Sequence, residues 1–190
     1  MRVLIAEDEA LIRMDLREML EEEGHEVVGE ARDGAEAIEL ARGLRPDIVF
    51  MDINMPRVTG IEAAQTLGEE RIAPVVMVTA FSQASYVEQA ASAGAMAYVV
   101  KPFSRADILP AMMLAAARFA EASALADEVA DLTERLETRK VVDRAKGILM
   151  TRGKTEAEAF RTLQKLAMHR RKTLREIAEA VLLASEADAS

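Results

Sequence analysis

The sequence predicts an α/β protein: a doubly wound five-stranded parallel sheet, then a long helical connector and a small all-α domain of three helices. Three observations predict it. Apolar runs and helix-period stretches alternate five times in about 120 residues, the pattern of parallel strands joined by crossover helices. From Ser104 to about Glu137 there is no Gly and only one Pro, so little interrupts a helix. Charge then changes sign: Arg139–Arg175 holds 12 Lys/Arg against 3 acids, a balance of +9, and the remainder holds 12 basic residues against 30 acids, or −18. Such asymmetry predicts regions with different partners. The boundaries read as 1–120, 121–138 and 139–186.

Composition narrows the class. Of 190 residues, 51% are hydrophobic and 4% aromatic, enough for a core built from Ala, Leu, Ile and 11 Met. With no Cys there is neither a disulfide nor a thiolate metal site, which suits a cytoplasmic setting. The N-terminus reaches acids by Glu7, so the apolar region of a signal peptide is missing. No window of about 18 uninterrupted apolar residues exists, so no membrane span is expected.

In order, Arg2–Ala6 reads as a strand running into Glu7-Asp8-Glu9. Like charges so close repel, which argues for a bound cation. Leu11, Ile12, Leu16, Met19 and Leu20 recur at helical spacing, and Gly24 suits the C′ position. Glu26–Ala31 is the second strand, Asp33-Gly34 a turn, and Ala35–Ala41 the second helix. Ile48–Met51 is apolar throughout, as in a strand buried on both faces, and ends on Asp52. Pro56 blocks further pairing. Thr59-Gly60 opens a third helix, Ala73–Val78 is a strand ending at Thr79, Ser82–Ala93 a helix, and Met96–Val100 a strand ending at Lys101. Ser104, with Asp107 three residues on, caps the next helix, whose Pro110 removes one helical bond.

Right-handed crossovers place the ends of strands one, three, four and five on one sheet edge. Glu7, Asp8, Asp52, Thr79 and Lys101 therefore converge there. An oxygen-only acid cluster suits Mg²⁺. An acid pair, a hydroxyl and a lysine together point to phosphoryl handling rather than a plain salt bridge.

These residues closely resemble the receiver domain of bacterial two-component response regulators, a flavodoxin-like fold. The resemblance implies that Asp52 is the phosphoacceptor, attacking the phosphorus of a phosphohistidine on a sensor histidine kinase. It implies Mg²⁺ held by Asp8, Asp52 and the backbone carbonyl of Asn54, with Glu7 direct or through water. Lys101 would neutralise charge on the transferring group, and Thr79, helped by the Ala80 amide, would bond a phosphoryl oxygen. Thr79 and Tyr98 would form the coupled switch, and Lys101-Pro102 matches a position where the peptide is cis. Such a domain catalyses only its own phosphorylation and dephosphorylation.

In the connector, Ala122, Leu125, Val129, Leu132 and Leu136 follow 3-4 spacing, a coiled-coil seam of about two heptads. It serves either a homodimer or packing on its own domain. The basic tail reads as three helices: Arg139–Arg152, then one opened by Thr155/Glu158 with Phe160, Leu163 and Ala167 buried, then one opened by Thr173/Glu176. Arg161, Lys165, His169 and Lys172 fall at near-helical spacing, and Arg144 and Lys146 add positive charge, which favours a nucleic acid partner. His169 reads as a surface residue. Gly147 inside a helix costs about 1 kcal/mol relative to Ala, as if something approaches closely.

Ala145-Lys146-Gly147-Ile148-Leu149-Met150, with Glu158-Ala159-Phe160, Leu163, Ala167-Met168 and Ile177-Ala178, resembles the ANTAR domain, a three-helix RNA-binding module of transcription antiterminators. The resemblance implies a dimer recognising RNA stem-loops in a leader transcript, with Arg144, Lys146, Gly147, Arg161, Lys165 and Lys172 near the RNA. A DNA-binding output and a protein-interaction output remain alternatives. The tail has no acid/base or nucleophile cluster, which argues against an enzymatic output.

Overall fold

A computed structural model describes residues 1–80 and 94–188. The helix expected at Ser82–Ala93 lies outside the described residues. The chain forms two compact units, Met1–Ala124 and Leu125–Ser190.

In the first unit, β1 (Arg2–Ala6), β2 (Glu26–Ala31), β3 (Ile48–Asp52), β4 (Val75–Thr79) and β5 (Ala97–Val100) form one parallel sheet in the order β2-β1-β3-β4-β5. β3 is central and wholly buried. Side chains alternate between two faces. Leu4, Val49, Met51 and Met77 pack with Ala37 and Ala41 of α2 (Gly34–Leu44) and with Ala63, Ala64 and Leu67 of α3 (Gly60–Glu69). Val3, Ile5, Phe50, Val76 and Val78 pack with Leu16 and Leu20 of α1 (Ala10–Glu22) and with Ile108, Met112 and Ala115 of α4 (Arg105–Thr151). Each fully buried Leu, Ile or Phe contributes about 1.5–3 kcal/mol, so packing on both faces of β1, β3 and β4 dominates the stability of the sheet.

Several local expectations change. Leu11 is 76% exposed, whereas Arg13 is buried. The apolar stripe of α1 runs through Leu16 and Leu20, and Arg13 shares that face because its guanidinium finds backbone carbonyls. Asp33 and Gly34 are not a free turn but the N-cap and first residue of α2, with the Asp33 side chain accepting the Glu36 N–H at 3.0 Å. Thr59 and Glu62 form a capping box on α3. Gly24 has φ +78 just past α1, as its C′ position requires.

The connector and the first tail helix are a single helix, α4, of 47 residues. The change in charge near Thr138 is no backbone signal; between Pro110 and Gly147 there is no Gly or Pro to stop the helix. Pro110 lies inside it without ending it. Part of α4 is long and apolar enough to cross a membrane by length and composition when up to two charged residues are admitted, a looser measure than the uninterrupted run. In that part Ile108, Ala111, Met112 and Ala115 are committed to the sheet core. Beyond it, Leu125, Val129, Leu132 and Leu136 are 61%, 54%, 49% and 59% exposed. Among the described residues, nothing covers these four side chains more than about halfway.

The second unit joins the end of α4 to α5 (Glu156–Arg170) and α6 (Leu174–Asp188). Its core is Val142, Ala145, Leu149, Ala159, Leu163, Ile177 and Ala178. Gly153, at φ +87, follows α4. Thr155/Glu158 and Thr173/Glu176 make the reciprocal bonds of capping boxes. Phe160, expected in the core, is 37% exposed; Ala159 takes the inner position.

Candidate functional site: an acidic cluster and a lysine at the carboxyl edge of the sheet

β1 delivers Glu7 and Asp8, β3 ends on Asp52, β4 ends on Thr79, and Lys101 follows β5. The register sets Asp52 against Val78 and Thr79 against Val100, so the strand ends are level. Carboxylate oxygens of Glu7, Asp8 and Asp52 lie within 4.8 Å of one another. Lys101 Nζ donates to Asp52 Oδ1 at 2.8 Å and stands 2.7 Å from Glu7 Oε2. The Asn54 N–H donates to Asp52 Oδ2 at 2.8 Å, and the Glu9 N–H to Glu7 Oε1 at 3.2 Å. Thr79 is buried, and its carbonyl accepts the Lys101 N–H at 2.7 Å. Tyr98, paired in register with Met77, is 49% exposed. The Lys101-Pro102 peptide is cis.

Burial pushes both the Glu7 and the Asp52 carboxyls up, against the pull of Lys101; their negative neighbours raise them further. Burial alone would lower the Lys101 ammonium, but its hydrogen bond to Asp52 and the negative charge of Asp52 and Glu7 beside it more than reverse this. The cluster thus concentrates carboxylates that one lysine does not fully compensate. The contact of Lys101 with Glu7 Oε2 is a charge contact off the hydrogen-bonding directions. Among the described residues, Glu7 Oε2 is the buried side-chain oxygen left without a hydrogen bond. An oxygen-only donor set with such an oxygen fits Mg²⁺, a hard cation that takes carboxylates and keeps waters.

Two supporting residues escaped the sequence reading. Arg13 donates to the Glu7 carbonyl at 2.7 Å and to the Asp8 carbonyl at 3.4 Å, and its Nε pairs with Glu30 at 3.0 Å. It therefore holds the backbone that carries both acids. Gly60 is required by space: a Cβ there would stand 1.8 Å from the Asp52 carbonyl oxygen. Its position at the start of α3, eight residues after the aspartate, was the available signal.

In the tail, the cations divide. Lys146 is 17% exposed and paired with Asp143 and Glu156, both at 2.8 Å, and Lys172 pairs with Glu176 at 3.3 Å. Among the described residues, Arg144, Arg161 and Lys165 are exposed and form no ion pair. Gly147 is exposed, and a Cβ there would meet nothing within 4 Å. Packing inside this unit does not require that glycine.

A 2-1-3-4-5 parallel sheet with this acidic edge is that of a receiver domain. The chain matches the response regulator receiver domain over residues 3–113 and the ANTAR domain over residues 130–182. It belongs to the response regulators and carries an ANTAR output domain. It is 62% identical to the transcriptional regulatory protein PdtaR of Mycobacterium tuberculosis, over 95% of this chain and 89% of that protein. Among solved structures it is similar to the receiver domain of the putative response regulator NarL from Mycobacterium tuberculosis (TM-score 0.58, 32% identity, 60% of this chain and 94% of that one). It is also similar to a Borrelia burgdorferi CheX-CheY-BeF3-Mg complex (TM-score 0.56, 30% identity, 59% and 86%).

Proposed function

We propose that this chain is a phosphorylation-controlled, cytoplasmic antiterminator that binds RNA stem-loops as a homodimer. The observation that carries the reading is the set of exposed cations without an ion pair among the described residues, Arg144, Arg161 and Lys165, on an ANTAR domain in a chain that also has a receiver domain. Stem-loop loops expose unstacked bases for readout, and the cations supply phosphate contacts.

At the receiver, one Asp52 oxygen attacks the phosphorus of a histidine kinase's phosphohistidine. The P–O bond forms, the P–N bond breaks, and the imidazole leaves with a proton. Lys101 holds Asp52 in place and then faces the added negative charge. Asp8, Asp52 and the Asn54 carbonyl would hold Mg²⁺, with Glu7 direct or through water, and the ion would neutralise charge on the transferring group. Thr79 turns toward the new oxygens, and Tyr98 moves from its exposed position into the space released. The bare seam from Leu125 to Leu136 supports dimerisation, since an apolar stripe left in water is stabilised by a second helix.

The test is binding to tandem stem-loop RNA and to duplex DNA of equal length at fixed salt, with and without a phosphoryl donor and Mg²⁺. RNA preference that rises with phosphorylation is expected. Equal weak binding to both would overturn the RNA reading and favour a protein partner.

A further inference from the structure

Five residues beyond Asp52, Arg57 has φ +65, in the left-handed region that glycine enters freely and an arginine does not. Its side chain, 70% exposed, pairs with Asp33 Oδ2. The Asp33 side chain is 3% exposed, and its other oxygen accepts the Glu36 N–H at 3.0 Å. A buried carboxylate needs a counter-charge, and Arg57 provides it from the surface.

The same pair ties two elements together. The Gly34 N–H donates to the Val58 carbonyl at 3.0 Å, and a Cβ on Gly34 would stand 2.6 Å from that oxygen. The start of α2 therefore abuts the loop between β3 and α3. At the other end of the loop, the Gly60 N–H donates to the Ile53 carbonyl at 3.0 Å. Two of these three ties are backbone bonds; only Asp33–Arg57 depends on side chains. Arg57 and Asp33 line a cleft of about 560 Å³ together with Arg13, which holds the Glu7 and Asp8 carbonyls from the same side.

The geometry points to the Asp33–Arg57 pair as a positioning clamp on residues 53–59 that sets the divalent-cation affinity of the Glu7, Asp8 and Asp52 cluster. The clamp acts through the loop that carries Asn54, and the inference rests on the Mg²⁺ reading given above. Neither residue touches the cation. The pair limits how far the loop strays from the geometry a small octahedral ion demands.

The experiment is calorimetric titration of MgCl₂ into the full chain at fixed ionic strength, beside thermal unfolding without Mg²⁺. Arg57→Gly relieves the left-handed backbone but leaves the Asp33 carboxylate without its counter-charge, two opposing effects on stability, so its unfolding midpoint is measured to show that the variant is folded at the titration temperature. Its Mg²⁺ dissociation constant should rise about tenfold, the lower end of what losing a supporting partner costs a metal site. Asp33→Asn should weaken binding in the same direction, and Arg57→Lys, which keeps a cation, should recover part of it. Unchanged affinity in Arg57→Gly overturns the clamp, as does an Arg57→Lys protein no tighter than Arg57→Gly. Failure of the parent chain to bind Mg²⁺ overturns the site reading itself, a result distinct from a variant that binds as the parent does.

Discussion

The two units use charge in opposite ways. In the first, Glu7, Asp52 and Lys101 are largely buried, within bonding distance, and set by strand ends that a parallel sheet brings level. In the second, the charges lie on helix surfaces, and neutralising partners decide which remain available. A strand-end carboxylate has its place dictated by topology. A surface lysine has its availability dictated by whether an acid sits near, as Asp143 and Glu156 do for Lys146. Position is therefore the informative quantity in the first unit, and pairing in the second.

The sharpest way to break this comparison is Asp52→Asn. Phosphoryl incorporation from a labelled donor is expected to vanish, while tail helicity by circular dichroism is unchanged; continued labelling would move the acceptor elsewhere. Next in size, charging the seam with Leu132→Asp and Leu136→Asp should abolish self-association in sedimentation equilibrium. A dimer that survives would place the interface off the seam.

In the tail, Arg161→Glu with Lys165→Glu should weaken RNA binding and flatten its salt dependence, by about one unit of slope for each phosphate no longer engaged. Lys146→Ala should do less than Arg144→Ala in the same assay, because Lys146 is already committed to two acids. The reverse order would show that RNA displaces Asp143 and Glu156. The smallest effect concerns pH. Bonds from Thr155 hold the Glu158 carboxyl below its usual value, so the cap's contribution is fully present above the unfolded glutamate value and is lost as pH falls through the depressed one. Thr155→Ala, which costs about 1 kcal/mol for a cap of this kind, should blunt that acid-side loss in thermal melts of the tail.

How much could be read in advance followed the same division. Short apolar runs located the five strands, and the residues ending strands one, three, four and five were site candidates without knowledge of contacts. Arg13 could not be found that way, because a basic residue on the inner face of α1 becomes sensible only once carbonyls of Glu7 and Asp8 are seen to point at it. Leu11 looked like core because its spacing was helical, yet the rotation of α1 leaves it in water. The supposed break near Thr138 confused a change of charge with a change of backbone. Phe160 and Ala159 are adjacent, and a one-residue rotation of α5 separates the core residue from the half-exposed one.

The chain contains no Trp and only two Tyr, Tyr86 and Tyr98. Tyr98, half exposed beside the sheet edge, therefore emits without a brighter indole to absorb its signal. With Tyr86→Phe, it becomes the sole intrinsic fluorophore of the molecule. Under the proposed inward movement of Tyr98, quenching of its emission by iodide should fall once a phosphoryl donor is added, a label-free optical clock for the receiver; quenching that stays constant would remove Tyr98 from the switch.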